Sequence, residues 1–243
     1  MQLAGKTALV TGSAHRLGRA IALALASRGC DLMVHYHRAE EQAAHTVAQA
    51  RRLGVRAVPM RADLTSVSEI VSMFRSVDEE LGGLDILVNS AAVLQRHDIL
   101  QVSDEDWENT IRLNLKAPFF CTQQAARRMQ TRNGGAIVNV SDLAALRPWP
   151  RFPVHSISKA GLEMLTKVSA LALAPDIRVN AVAPGPVLKP VGMAEGRWQE
   201  IGSSVPLGRP GSPQDVVEAV VFLIEDDYVT GETLTVDGGA SLA

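Results

Sequence analysis

His155 and Lys159 stand four positions apart in the run His155-Ser156-Ile157-Ser158-Lys159. On a helix that spacing puts both side chains on one face. A protonated imidazole is a capable general acid, with a reference pKa of about 6.5. Asp142 lies upstream of the pair. A carboxylate beside the ring favours the charged imidazole, and a like-charged ammonium disfavours it. Each unit charge at about 4 Å is worth roughly 4 kcal/mol at an effective dielectric of about 20, so either can prevail. Near the start of the chain, Thr11-Gly12-Ser13-Ala14-His15-Arg16-Leu17-Gly18 leads from an apolar run into an amphipathic stretch. A turn from strand into helix leaves unpaired backbone N–H groups at a positive dipole end, which suits a pyrophosphate. Gly12 permits the tight turn, and Gly18 lets the helix approach the strand.

These side chains need a scaffold, and the hydrophobic pattern supplies one. Near-continuous apolar runs at Thr7 to Val10, Asp31 to His35, Ala57 to Met60, Leu84 to Val88, Ala136 to Val140, Ile177 to Ala181 and Thr233 to Val236 predict strands. Runs of that kind belong to strands buried on both faces of a parallel sheet. Amphipathic stretches alternate with them at Leu17 to Arg28, Ala39 to Leu53, Ser66 to Leu81, Asp104 to Gln130, His155 to Leu173 and Pro213 to Ile224. The alternation gives right-handed crossovers. The expected fold is α/β: a single doubly wound Rossmann-type domain over residues 1–243, with a parallel sheet of about seven strands flanked by helices. Pro184 to Ser212, rich in Pro and Gly, reads as one long irregular stretch, and residues 186–212 as a substrate lid.

The chain has 243 residues, 47% of them hydrophobic, and a net charge of −2. That is enough for one large core and points away from nucleic acid as a partner. The two cysteines, Cys30 and Cys121, are far apart in sequence, so reduced thiols and no metal site are expected. The first residues run directly into a strand pattern without room for a signal peptide, and no apolar run is long enough to span a bilayer. A cytoplasmic, membrane-free protein is expected.

The second strand ends in His35-Tyr36-His37-Arg38. An acidic residue at this point would hold a ribose 2′-hydroxyl, but the first acid is Glu40. His37 and Arg38, with Arg16 in the earlier loop, present positive charge instead, which fits the extra phosphate of NADPH rather than NADH. Asp63-Leu64 follows the third strand and Asn89-Ser90-Ala91-Ala92 the fourth. Small residues there let a ligand approach the backbone at the carboxyl ends of the strands.

With these residues in place the chain resembles the short-chain dehydrogenases/reductases. Thr11 to Gly18, Asp63-Leu64, Asn89 to Ala92, Asn114, Lys159, Asn180 to Gly185, Thr230 to Glu232 and Val236 to Gly239 fall in that family's order, over essentially the whole chain. Arg16 in the first loop, the segment His35 to Ala39 and Asp142 resemble the pteridine reductase branch in particular. The resemblance implies an NADPH-dependent oxidoreductase. Gly12, Arg16, Leu17, Gly18, His37, Arg38, Asp63, Leu64, Asn89, Ala91, Lys159, Pro184 and Gly185 would bind cofactor. Asp63 would lie at the adenine, Asn89 near the ribose and Lys159 on the nicotinamide ribose. The catalytic group would comprise Asn114, Asp142, His155 and Lys159.

One position departs from the family. Its signature is a tyrosine four residues before the lysine, which gives a proton to the substrate oxygen. His155 stands there, and Tyr36 and Tyr228 are too remote in sequence to replace it. Asp142 and His155 are separated by the family's serine-to-tyrosine spacing, so both should face the nicotinamide. Two functions follow: a reductase acting through an Asp142–His155 acid pair on a pteridine, dihydrofolate or reactive carbonyl, or a catalytically impaired NADPH-binding or scaffolding protein. Trp149 and Phe152 between the two acids, and Leu188 in the lid, are candidate substrate contacts. Arg147 and Arg151 could meet a carboxylate. The hydroxyl that the family carries after its Pro-Gly turn is missing, since Val187-Leu188-Lys189 follows instead. The resemblance also implies a homotetramer or homodimer.

Overall fold

The computed structural model describes residues 1–243. Seven strands form one sheet: β1 (Thr7–Val10), β2 (Asp31–Tyr36), β3 (Ala57–Arg61), β4 (Ile86–Asn89), β5 (Gly135–Val140), β6 (Ile177–Pro184) and β7 (Thr233–Val236). Their order is β3-β2-β1-β4-β5-β6-β7, and every pair is parallel. The helices are α1 (Arg16–Ser27), α2 (Glu40–Arg52), α3 (Val67–Leu81), α4 (Asp104–Ile111), α5 (Ala117–Met129), α6 (Pro153–Leu173), α7 (Glu195–Ser204) and α8 (Pro213–Glu225).

Strand alternation divides the core into two layers. Ala8, Val10, Leu32, Val34, Ile86, Val88 and Val138 pack with Ile21 and Leu25 of α1, Val47 of α2 and the apolar face of α8. Leu9, Met33, Leu87, Ile137 and Val179 face the other way, onto Phe74 of α3 and Met129 of α5. With both faces covered, period-2 polarity has no reason to exist, which is why these strands read as unbroken apolar runs. The sheet order reverses between β1 and β4, and a crevice opens at the carboxyl ends of the strands there.

The structure corrects the predicted elements at two places. The single helix expected over Asp104 to Gln130 is α4 and α5 joined by a π-turn at Arg112–Lys116. Pro184 to Ser212 is not wholly irregular: β6 runs to Pro184, and α7 occupies Glu195–Ser204. No helix is long and apolar enough to cross a membrane.

Candidate active site

The crevice is a cleft of about 850 Å³ lined by the β1–α1 loop and by the ends of β2, β3 and β4. Gly12 sits at φ +68°, and a Cβ there would lie 3.1 Å from the Ala91 Cα. A Cβ on Gly18 would lie 2.4 Å from the Gly12 carbonyl oxygen. Neither position tolerates a side chain, so the bare backbone forms the cradle a pyrophosphate needs. Arg16, Leu17, His37, Arg38, Asp63, Leu64 and Ala91 all line the cleft, as their motif positions predict. Arg16 occupies the left-handed region at φ +54°, an unfavourable place for a residue with a side chain. Its guanidinium lies 3.5 Å from the Lys189 carbonyl, bridging the β1–α1 loop and the segment after β6.

Two residues that sequence reasoning passed over hold this loop. Buried His35 accepts the Gly12 N–H at Nδ1, and the Thr11 hydroxyl oxygen accepts the N–H groups of Ser90 and Ala91. A histidine inside an apolar strand was the available signal for the first. His37 Nε2 lies 4.0 Å from an Asp63 oxygen. Partial burial works against the charge on Asp63, yet two hydrogen bonds from Thr65 and the nearby cations His37 and Arg38 leave its carboxyl below the usual range.

Asn114, Asp142, His155 and Lys159 converge just behind the cleft wall. His155 Nδ1 lies 3.1 Å from the Val93 carbonyl, which can only accept, and 3.3 Å from the Asn114 amide nitrogen, which can only donate. Its Nε2 is buried without a hydrogen-bond partner and lies 3.6 Å from Asp142 Oδ2. The other Asp142 oxygen accepts the Ala144 N–H. Asn114, in the π-turn, accepts the Val93 N–H and donates to the Val93 carbonyl and to Ser158 Oγ. Lys159 Nζ donates to the Val140 carbonyl at 2.7 Å. Burial pushes the lysine down to about 8, against the pull of Asp142 and Glu163 in the opposite direction. Val93 and Val140 are themselves wall residues of the cleft. The predicted reaction group is therefore one residue's thickness from the dinucleotide crevice, and the Asp142 side chain, 24% exposed, is its most open acidic member.

The predicted substrate residues flank this group. The Trp149 ring lies over His155 with centroids 6.4 Å apart and planes at 20°, and Phe152 meets Trp149 edge-on. Leu188 lines the cleft from the segment after β6. The ends of residues 186–212, the stretch expected as a lid, are tied together by the Gly211 N–H on the Pro186 carbonyl.

Other predicted contacts are used elsewhere. Asn89 donates to Asn139, which donates to Thr166, so its side chain is held inside the protein and Ser90 to Val93 meet the cleft instead. Pro184 ends β6, and Gly185 is pressed against Asp237 just past β7, from which a Cβ would lie only 2.7 Å. Neither is on the cleft wall. Arg147 is held by the carbonyls of Ala240 and Ala243, away from any ligand role.

Residues 12–241 match the sequence profile described as enoyl-(acyl carrier protein) reductase. The chain is 35% identical to a short-chain type dehydrogenase/reductase of Picea abies, covering 98% of this chain and 93% of the relative. It is 37% identical to the 2-dehydro-3-deoxy-D-gluconate 5-dehydrogenase of Escherichia coli (strain K12), over 98% and 96% of the two chains. A solved structure described as a short-chain alcohol dehydrogenase of Sinorhizobium meliloti 1021 superposes with a TM-score of 0.93 at 36% identity, over 99% and 98% of the chains. The chain belongs to the short-chain dehydrogenase/reductase family.

Proposed function

We propose that this oxidoreductase is an NADPH-dependent reductase of a small carbonyl compound, with Asp142 and His155 as its acid pair. The observation that carries the reading is the 3.6 Å approach of Asp142 Oδ2 to an otherwise unpartnered His155 Nε2, on the helix face that also presents Lys159. A bound nicotinamide dinucleotide supplies hydride. The Gly12–Gly18 loop holds the pyrophosphate, and Arg16, His37 and Arg38 hold the 2′-phosphate. With the ring hydrogen on Nδ1, toward the Val93 carbonyl, Nε2 is the nitrogen that gains and gives the working proton. The neighbouring carboxylate stabilises the imidazolium before transfer, and Lys159 binds the ribose. Cys30 and Cys121, free and buried, fit a reducing cytoplasmic setting. Exposed Met164, Val168 and Leu171 on one face of α6 fit a homodimer or homotetramer.

A pteridine or dihydrofolate is the second substrate reading, favoured by Arg16 and Asp142. A non-catalytic NADPH-binding or scaffolding role is the competing function, favoured by the burial of His155 under Trp149.

The test is NADPH oxidation against diketones, quinones, dihydropteridines and dihydrofolate, with His155→Phe and Asp142→Ala as comparisons. Turnover that drops by about 10²-fold or more in both variants supports the acid pair. Turnover unchanged in both variants refutes it. Tight NADPH binding without turnover on any substrate establishes the non-catalytic role. Preference for NADH over NADPH refutes the 2′-phosphate assignment.

A further inference from the structure

The chain leaving β4 and the chain leaving Asp142 meet beside the reaction group, where the His97 N–H donates to the Arg151 carbonyl at 3.0 Å. Between them lies a second cavity of about 550 Å³, lined by Arg96, His97, Asp98, Ile99, Pro150 and Arg151. Neither arginine forms an ion pair. The one carboxylate on the wall, Asp98, is engaged in capping, where it accepts the Leu100 N–H. His97 Nδ1 lies 3.6 Å from Asp106 Oδ2, while its Nε2 is buried with no partner. Two arginines without ion pairs on one wall, with His97 between the chains that carry them, match the oxygens of an anion.

The cavity adjoins the reaction site along both chains that form it. Gln95, immediately before Arg96, lines the dinucleotide cleft, and Trp149, two residues before Arg151, lies over His155. We propose that this cavity is an oxyanion subsite that takes the carboxylate or phosphate at the far end of the substrate. The substrate is then a carbonyl compound with a remote anionic group. The assignment of the anion to the substrate rests on the reductase reading above; the anion site itself does not.

The first arm of the test needs no turnover. Ring-labelled histidine, with the His97 resonance identified by His97→Gln, is titrated with inorganic phosphate at constant ionic strength set by chloride. A saturable shift of the His97 signal is expected, with affinity weakened about tenfold or more in Arg96→Gln and in Arg151→Gln. No saturable shift, or the same titration in both variants, overturns the site. The second arm compares kcat/KM for a keto acid and its methyl ester. The arginine variants should lose about tenfold or more on the acid and stay unchanged on the ester. Equal losses on both overturn the substrate assignment while the phosphate result stands. Absence of turnover on either compound counts against the reductase reading, and the phosphate titration then decides the site alone.

Discussion

The Gly12 backbone N–H donates to His35 Nδ1 at 2.9 Å, and His35 Nε2 lies 3.1 Å from the Ala62 carbonyl. An amide N–H only donates and a carbonyl only accepts, so this ring is neutral with its hydrogen on Nε2. One side chain thus ties the phosphate loop, through β2, to the end of β3. A proton added at Nδ1 would confront the Gly12 hydrogen. Burial pushes the ring from 6.5 down to about 4. The unfolded chain then takes up this proton at a higher pH than the folded one, so the His35 contribution is complete above about 6.5 and is lost as pH falls from there to about 4. The loss is about 3–4 kcal/mol at roughly 1.4 kcal/mol per unit. Urea denaturation at pH steps across this window should show it in the wild type, and His35→Gln should flatten it. An equal pH slope in the variant would assign the acid sensitivity to other groups.

Arg16 carries a side chain in a left-handed conformation at φ +54°. Such a residue costs roughly 1–2 kcal/mol relative to glycine. Arg16→Gly should therefore raise stability by about 1 kcal/mol, the exposed contact with the Lys189 carbonyl offsetting little. The same substitution should weaken NADPH binding about tenfold and leave NADH binding nearly unchanged, because only the former has a 2′-phosphate. A Tm measurement and two fluorescence titrations check both halves. Parallel losses for the two dinucleotides would place Arg16 outside the 2′-phosphate contact.

The strands and the cleft were legible because their signals are local. Unbroken apolar runs mark strands buried on two faces, and Gly12 and Gly18 mark places where the backbone excludes a Cβ. The break between α4 and α5 was not, since a π-turn widens one helical turn without disturbing the apolar pattern around it. α7 was hidden by its flanks, where Pro190, Gly192, Pro206 and Gly208 surround a ten-residue helix with one buried residue. For Asn89 the reason is different. Its position at a strand end is visible in sequence, but its bond to Asn139 on the neighbouring strand is a tertiary contact. The proximity of Asp142, His155 and Lys159 was anticipated from spacing; their position behind Val93 and Val140, rather than on the cleft wall, needed coordinates.

Lys159 is fully buried with its Nζ on the Val140 carbonyl, and burial lowers it from 10.5 to about 8. The folded state therefore holds this proton less tightly than the unfolded chain. Near neutral pH, where the amine is charged in both states, its desolvation subtracts from stability, and the penalty is relieved as pH rises from about 8 to 10.5. Lys159→Met removes the buried charge and also one hydrogen bond of about 1 kcal/mol. The variant should be more stable by about 1–2 kcal/mol at pH 7 and inactive. Denaturant midpoints at pH 7 check the sign. A destabilised variant would show that the Val140 bond and the nearby carboxylates outweigh the desolvation.

Asn114 links three parts of the site from within the π-turn. It accepts the Val93 N–H at 2.8 Å, donates to the Val93 carbonyl at 2.9 Å and donates to Ser158 at 3.1 Å, while remaining 1% exposed. The same Val93 carbonyl lies 3.1 Å from His155 Nδ1, and Asn114 Nδ2 lies 3.3 Å from that nitrogen, so Asn114 positions both the ring and the strand-end loop on which it leans. Asn114→Ala would leave the part-buried Val93 N–H without its partner, at about 1–3 kcal/mol for the orphaned donor alone. The expected result is a destabilisation of about 2–4 kcal/mol, because the Ser158 bond is lost as well. Amide exchange separates this local role from a general loss of packing. Val93 should exchange much faster in the variant, while the amides of β1 and β5 slow or quicken only with global stability. Unchanged Val93 protection would mean that the loop is held by other contacts, and the π-turn would lose its role as the anchor of His155.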